Sequence, residues 1–119
     1  ISNNYFHHVD LHSNTNKMSG LMLNSDIAIC SGGTTVWELS FLGVPSIIIQ
    51  SSEVEKGMIL GLTKIGLFQT LDYFNSSTLL QHVDALLLNK ELRQQMHQKA
   101  KTIIDGKGCE RIYNAIKSR

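Results

Sequence analysis

The sequence is poor in the residues that usually carry specialised architecture: one proline, two cysteines and 7% aromatics in 119 positions. Cys30 and Cys109 lie far apart with no C-x-x-C pair, which excludes a disulfide scaffold and a cysteine-rich zinc site. They read as two reduced thiols, and the compartment that implies is cytoplasmic. Neither sign of charge dominates. The 11 basic and 10 acidic residues leave a formal net charge of +1, which argues against a dedicated nucleic-acid or anionic-membrane surface. Apolar runs such as Ile47-Ile48-Ile49 are short, and none approaches the roughly 20 residues of a membrane span. No cationic n-region or A-x-A-like site follows Ile1, so no signal peptide is expected. A length of 119 residues is too small for a two-lobed enzyme or a full doubly wound sheet. It leaves a single domain over residues 1–119, and 42% hydrophobic content makes that domain globular and soluble.

What is present is an alternation of short apolar runs and helical periods. Val9 and Leu11, among His7, His8 and His12, predict a short strand. Ser13 to Asn16 supply turn chemistry, and Met18, Leu21 and Met22 follow at helical spacing. Asp26 to Cys30 has the compact, partly β-branched pattern of a buried parallel strand. Gly32-Gly33 breaks it, Thr34 to Leu42 is helical, and Gly43 with Pro45 ends that helix. Ser46 to Gln50 is the next buried strand. Val54, Met58, Leu62 and Ile65 then mark a helix that Gly66 stops, and Leu67, Phe68 and Thr70 a strand. Ser76 and Ser77 are positioned to cap a helix carrying Leu79 to Leu87, and Asn89 interrupts before a helix with Leu92, Met96 and Ile103. Gly106 and Gly108 set off a last helix with Ile112, Tyr113 and Ile116. The order βαβαβαβ followed by helices predicts an α/β fold, a Rossmann-like parallel sheet with flanking helices. Ligands of such sheets bind beyond the carboxyl ends of the strands, after Cys30 and after Gln50.

Ser31-Gly32-Gly33-Thr34-Thr35 joins a buried strand to a helix N-terminus. Two glycines let a ligand approach the backbone closely, and the free amides of the first turn favour an anion. The Thr34 and Thr35 hydroxyls add donors, so a phosphate or diphosphate is the natural guest. The run is neither a Walker A loop nor G-x-G-x-x-G, and a tight turn without ligand also fits it. Glu38 has two readings. Thr35-x-x-Glu38 fits a capping box, in which the glutamate returns to the N-cap amide. Alternatively Glu38 faces the anion site and accepts ribose hydroxyls, as acidic groups do in dinucleotide folds. Trp37 reads as a packing residue rather than a platform for a base.

The segment from Ser25 to Ile49, with its acidic residue, GG, hydroxyl residues, Trp37-Glu38-Leu39 and Gly43-Val44-Pro45, resembles the C-terminal lobe of GT-B-type nucleotide-sugar enzymes. It is most similar to the UDP-sugar hydrolases of pseudaminic-acid biosynthesis and the related spore-coat polysaccharide proteins. Broader likeness extends to the N-acetylglucosaminyltransferase that makes the peptidoglycan lipid intermediate. Asn16 to Met22, Asp105 to Gly108 and Arg111 extend the resemblance over most of the chain. It implies that Gly32, Gly33, Thr34 and Thr35, beside Ser31, hold the diphosphate of a UDP-sugar and that Glu38 contacts the ribose. Where the family opens the helix after the second strand with Asn-Gln or Gln, this sequence has Val54 and Glu55. Glu55 still offers acceptors to sugar hydroxyls, but Val54 does not.

The resemblance implies a nucleotide-sugar-binding portion of a UDP-sugar hydrolase in surface-polysaccharide or nonulosonic-acid biosynthesis. The alternatives are the donor lobe of a UDP-sugar-dependent glycosyltransferase and a non-catalytic binding module. The catalytic base is expected from an N-terminal lobe, so no catalytic residue is assigned here; neither a cofactor nor a metal is expected. His8 and His12 would lie roughly 13 Å apart on a strand, too far to share one zinc ion. His82, His97 and the basic residues from Lys99 to Arg119 read as solvated helical faces rather than a nucleic-acid surface. The family lobe begins with a further strand–loop–helix unit and a second strand, so the chain reads as part of a truncated lobe. In the order 3-2-1-4-5-6 those strands would separate the ones at Val9 and Ile27. The two are then expected to pair directly, or to satisfy their edges in a homo-oligomer.

Overall fold

The computed structural model describes residues 8–119, and His7 with the residues before it lies outside them. The elements run α1 (Met18–Leu23), β1 (Ala28–Ser31), α2 (Thr34–Leu42), β2 (Ser46–Ile49), α3 (Lys56–Ile65), β3 (Phe68–Leu71), α4 (Ser76–Leu88), α5 (Lys90–Ile103) and α6 (Gly108–Lys117). A 3-10 turn over Glu53–Glu55 leads into α3. The strands form one parallel sheet in the order β1-β2-β3, with Ser31 opposite Ile49 and Ile49 opposite Leu71. All three therefore end at the same edge. The expected strand at Val9 is not formed: Val9 and Leu11 are 58% and 93% exposed and pair with nothing described. Three strands, not four, make the described sheet.

The three isoleucines of β2 build the core from both faces. Ile48 packs in a cluster with Val36 of α2, Ile59 and Leu62 of α3, Phe68 of β3 and Ala100 of α5. Ile47 points the other way, toward Leu71, Leu86 of α4 and Met96 of α5. Successive side chains on a strand face opposite ways, so a run of apolar residues is stable only with cover on both sides. β1 is different. Ile29 is 47% exposed, and no described strand pairs with the outer edge of β1.

Two helices end by the same device. Gly43 and Gly66 take φ of 73° and 85°, a left-handed conformation that glycine adopts without a Cβ penalty. Val44 N–H then donates to Leu39 O at 2.9 Å and Leu67 N–H to Leu62 O at 3.2 Å. Each pair also packs apolar side chain on apolar side chain, completing a Schellman motif that feeds the chain into the next strand. Asn75 and Asn89, not Ser76 and Ser77, cap α4 and α5: their side chains accept from Thr78 N at 3.1 Å and Leu92 N at 3.0 Å. The serines lie inside the first turn of α4, one and two residues too late to cap it. α6 buries no residue, and Ile112, Tyr113 and Ile116 are all exposed. No helix among the described residues is long and apolar enough to cross a membrane.

Candidate functional site

The loops after β1 and β2 meet at the carboxyl edge of the sheet. Gly33 is the N-cap of α2, and no side chain caps the helix. Nothing lies within 4 Å of the point where a Cβ on Gly33 would stand, so its backbone is bare. Val36 N–H donates to Gly33 O at 3.2 Å, which leaves the earlier amides of the turn facing outward. Ser31, Gly33 and Thr34 are exposed, Thr35 is half-buried, and neither threonine hydroxyl is engaged by a described residue. These amides and hydroxyls form a compact set of donors at the positive end of the helix dipole.

Glu38 lies one turn further along α2, exposed and without a hydrogen bond or ion pair to any described residue. The capping-box reading of Thr35-x-x-Glu38 does not hold, because Gly33 occupies the N-cap and Thr35 is already inside the helix. Trp37 is 42% exposed on the same helix, so it packs less than expected and leaves part of its ring open.

Ser52-x-x-Glu55 has the same spacing, but Ser52, the N-cap of the 3-10 turn, makes no side-chain cap bond, and Glu55 reaches one residue further back to Ser51. Glu55 turns back across its own loop and accepts from Ser51 N at 2.9 Å and Ser51 Oγ at 2.8 Å. The Ser51 amide, then its hydroxyl, with smaller help from the Gly32 and Ser52 amides, holds the Glu55 carboxyl below the usual carboxylate range. Gly32 is buried against this carboxylate: a Cβ there would stand 2.9 Å from Glu55 Oε1 and 3.2 Å from Ile59 Cδ1. A larger residue at 32 would push the Glu55 carboxylate and the Ile59 side chain aside. Ser51 as the donor to Glu55 was missed from sequence.

The other end of α2 is covered. His97 Nδ1 is 2.7 Å from Gly43 O, and Lys101 Nζ donates to Phe41 O at 3.0 Å while standing 5.3 Å from the Phe41 ring centre. His82 Nδ1 lies 2.8 Å from Gln69 Oε1. These side chains are therefore docked on neighbouring elements rather than simply solvated. Gly106 presses on the Phe41 ring, and Arg111 forks onto Asp105 at 2.8 and 2.9 Å. The Arg111 guanidinium holds the Asp105 carboxyl well below the usual carboxylate range. A cleft of about 560 Å³, lined by Asp26, Pro45, Arg93 and His97 among others, opens at the amino edge of the sheet, away from the glycine turn. A smaller one of about 240 Å³ follows β3, between Asp72, Tyr73 and His82. Both cysteines are free thiols, and burial pushes the Cys30 thiol up, away from a reactive thiolate. Among the described residues no group of three His, Cys, Asp or Glu side chains could hold a metal ion.

Residues 2–112 match the family model described as the glycosyltransferase family 28 C-terminal domain. The spore coat polysaccharide biosynthesis protein SpsG of Bacillus subtilis (strain 168) is 28% identical over 101 residues, 82% of this chain and 30% of that protein. A UDP-N-acetylglucosamine--N-acetylmuramyl-(pentapeptide) pyrophosphoryl-undecaprenol N-acetylglucosamine transferase of Bacillus licheniformis is 28% identical over 93 residues, 73% of this chain and 25% of the transferase. The chain thus spans less than a third of the length of these relatives. No solved structure matches it.

Proposed function

The chain belongs to the glycosyltransferase family 28 C-terminal domain family, and from that premise we propose that it is the nucleotide-sugar-binding portion of a UDP-sugar-dependent enzyme of surface-polysaccharide biosynthesis. Its three parallel strands with flanking helices are the Rossmann-like arrangement of a GT-B C-terminal lobe. The observation that carries the reading is the uncapped amino end of α2 behind bare Gly33, with unpartnered Glu38 one turn along. Gly32, Gly33, Thr34 and Thr35, beside Ser31, take the diphosphate. Their amides and hydroxyls stabilise the charge that builds on it as the glycosidic bond to the sugar breaks. Glu38 accepts the ribose hydroxyls, and Glu55 stands beside the diphosphate loop within reach of a sugar.

The first reading of the reaction is hydrolysis, in which water attacks the anomeric carbon and UDP leaves; it rests on the resemblance to pseudaminic-acid-pathway enzymes. The second is transfer of the sugar to an acceptor, favoured by the relative whose name is that of a transferase. The catalytic base belongs to the N-terminal lobe. Titration calorimetry with UDP tests the site: wild type binds, and Glu38→Ala binds about tenfold or more weakly. Absence of UDP binding by the wild type refutes the reading. Product analysis of the full-length protein with a UDP-sugar and water alone separates free sugar, the mark of a hydrolase, from unchanged substrate awaiting an acceptor.

A further inference from the structure

Among the described residues, Glu55 is the carboxylate set against the glycine turn, on the side where the proposed guest is an anion. Its two oxygens are committed to Ser51 N–H and Ser51 O–H. Its Oε1 sits 2.9 Å from the Cβ position of Gly32, so no side chain and no water layer separates it from the backbone of the turn. A negative charge fixed against Gly32 does two things to an arriving phosphate. It shares the local donors, because the Gly32 and Ser51 amides already stabilise it. It also repels the phosphate through space, since like charges held close together raise the energy of the bound state.

We propose that Glu55 is a charge filter on the diphosphate loop, disfavouring free UDP relative to a UDP-sugar. The proposal rests on the reading that the loop takes a diphosphate. Free UDP ends in a phosphate monoester that carries further negative charge near neutral pH, whereas the sugar ester has lost that ionisation. Repulsion from a fixed carboxylate grows with the charge of the guest, so Glu55 weakens UDP more than UDP-sugar. The sugar ester also brings hydroxyl groups, which a carboxylate accepts and a terminal phosphate cannot supply. The consequence for turnover is product discharge: breaking the glycosidic bond converts the tolerated ligand into the repelled one. The clamp by Ser51 keeps the charge in place instead of letting it swing to solvent.

The test is calorimetric, with UDP and UDP-N-acetylglucosamine titrated into wild type and Glu55→Gln. The amide keeps an acceptor for Ser51 N–H and removes the charge. UDP is expected to tighten by about tenfold and UDP-N-acetylglucosamine by no more than about threefold, which narrows the preference for the sugar ester. Equal gains for both ligands, or no gain for UDP, overturn the filter while leaving the site intact. Failure of wild type and variant alike to bind UDP overturns the underlying reading, and the filter with it. Should Glu55→Gln not fold, judged by circular dichroism, Ser51→Ala is measured instead. Loosening the clamp is then expected to tighten UDP about twofold relative to the sugar ester, and an unchanged ratio overturns the proposal.

Discussion

The two ends of α2 are built to opposite specifications. At the carboxyl end the Leu39, Ser40, Phe41 and Gly43 carbonyls have claimants: Gly43 and Val44 amides close the Schellman motif, His97 takes Gly43 O and Lys101 takes Phe41 O. At the amino end no side chain caps the helix, Gly33 is bare, and Glu38 has no described partner. Unpaired helix ends are costly when buried and useful when exposed. One end of the helix is therefore spent on holding α2 to α5, and the other is left as a donor surface.

The largest test of that contrast is Gly43→Ala. A Cβ there clashes with the His97 ring and forces an alanine to φ 73°, so we expect a loss of about 2–4 kcal/mol in urea unfolding. At the other end, Glu38→Ala should leave unfolding within about 0.5 kcal/mol while UDP affinity falls about tenfold or more. A stability loss of capping size would place Glu38 on the structural side of the comparison after all. His97→Ala, which frees Gly43 O, is expected to cost about 1 kcal/mol. In that background Gly43→Ala should cost less than in wild type, because the clash is gone, and a double-mutant cycle measures the difference.

The smallest effect is electrostatic. The Asp105 carboxyl is depressed by Arg111, so the fork contributes stability above the ordinary aspartate value near pH 4 and loses it as pH falls through the lower folded value. Wild-type stability should therefore decline below about pH 4 more steeply than that of Asp105→Asn. Matching acid profiles would mean that the fork does not steady the α5–α6 turn against Phe41.

Much of this contrast is legible in the sequence. Thr34 to Leu42 is helical from end to end as its spacing predicts, and Gly43 and Gly66 stop helices where glycine and the following apolar residue require it. Cover on both faces of the strand at Ile47 and Ile48 follows from an unbroken apolar run. What failed is instructive. Val9 and Leu11 alternate like a strand, but a strand needs a neighbour to take its hydrogen bonds, and none is described beside them. His97 and Lys101 look solvated in a one-dimensional reading because their acceptors, Gly43 O and Phe41 O, lie 54 and 60 residues away in sequence.

The sequence by itself determined the alternation of strands and helices, the glycine stops and the position of the Gly32-Gly33 turn. These depend on φ/ψ preferences and on apolar period, which are local. It also left Glu38 with two readings, a capping box with Thr35 or a ribose acceptor. The structure removed the capping-box reading. With Gly33 as N-cap, Thr35 falls inside the helix and Glu38 is released, while Ser51 draws Glu55 back against Gly32 of the neighbouring loop. A carboxylate's role is set by which donors surround it, and those donors come together only when two strand ends are brought side by side.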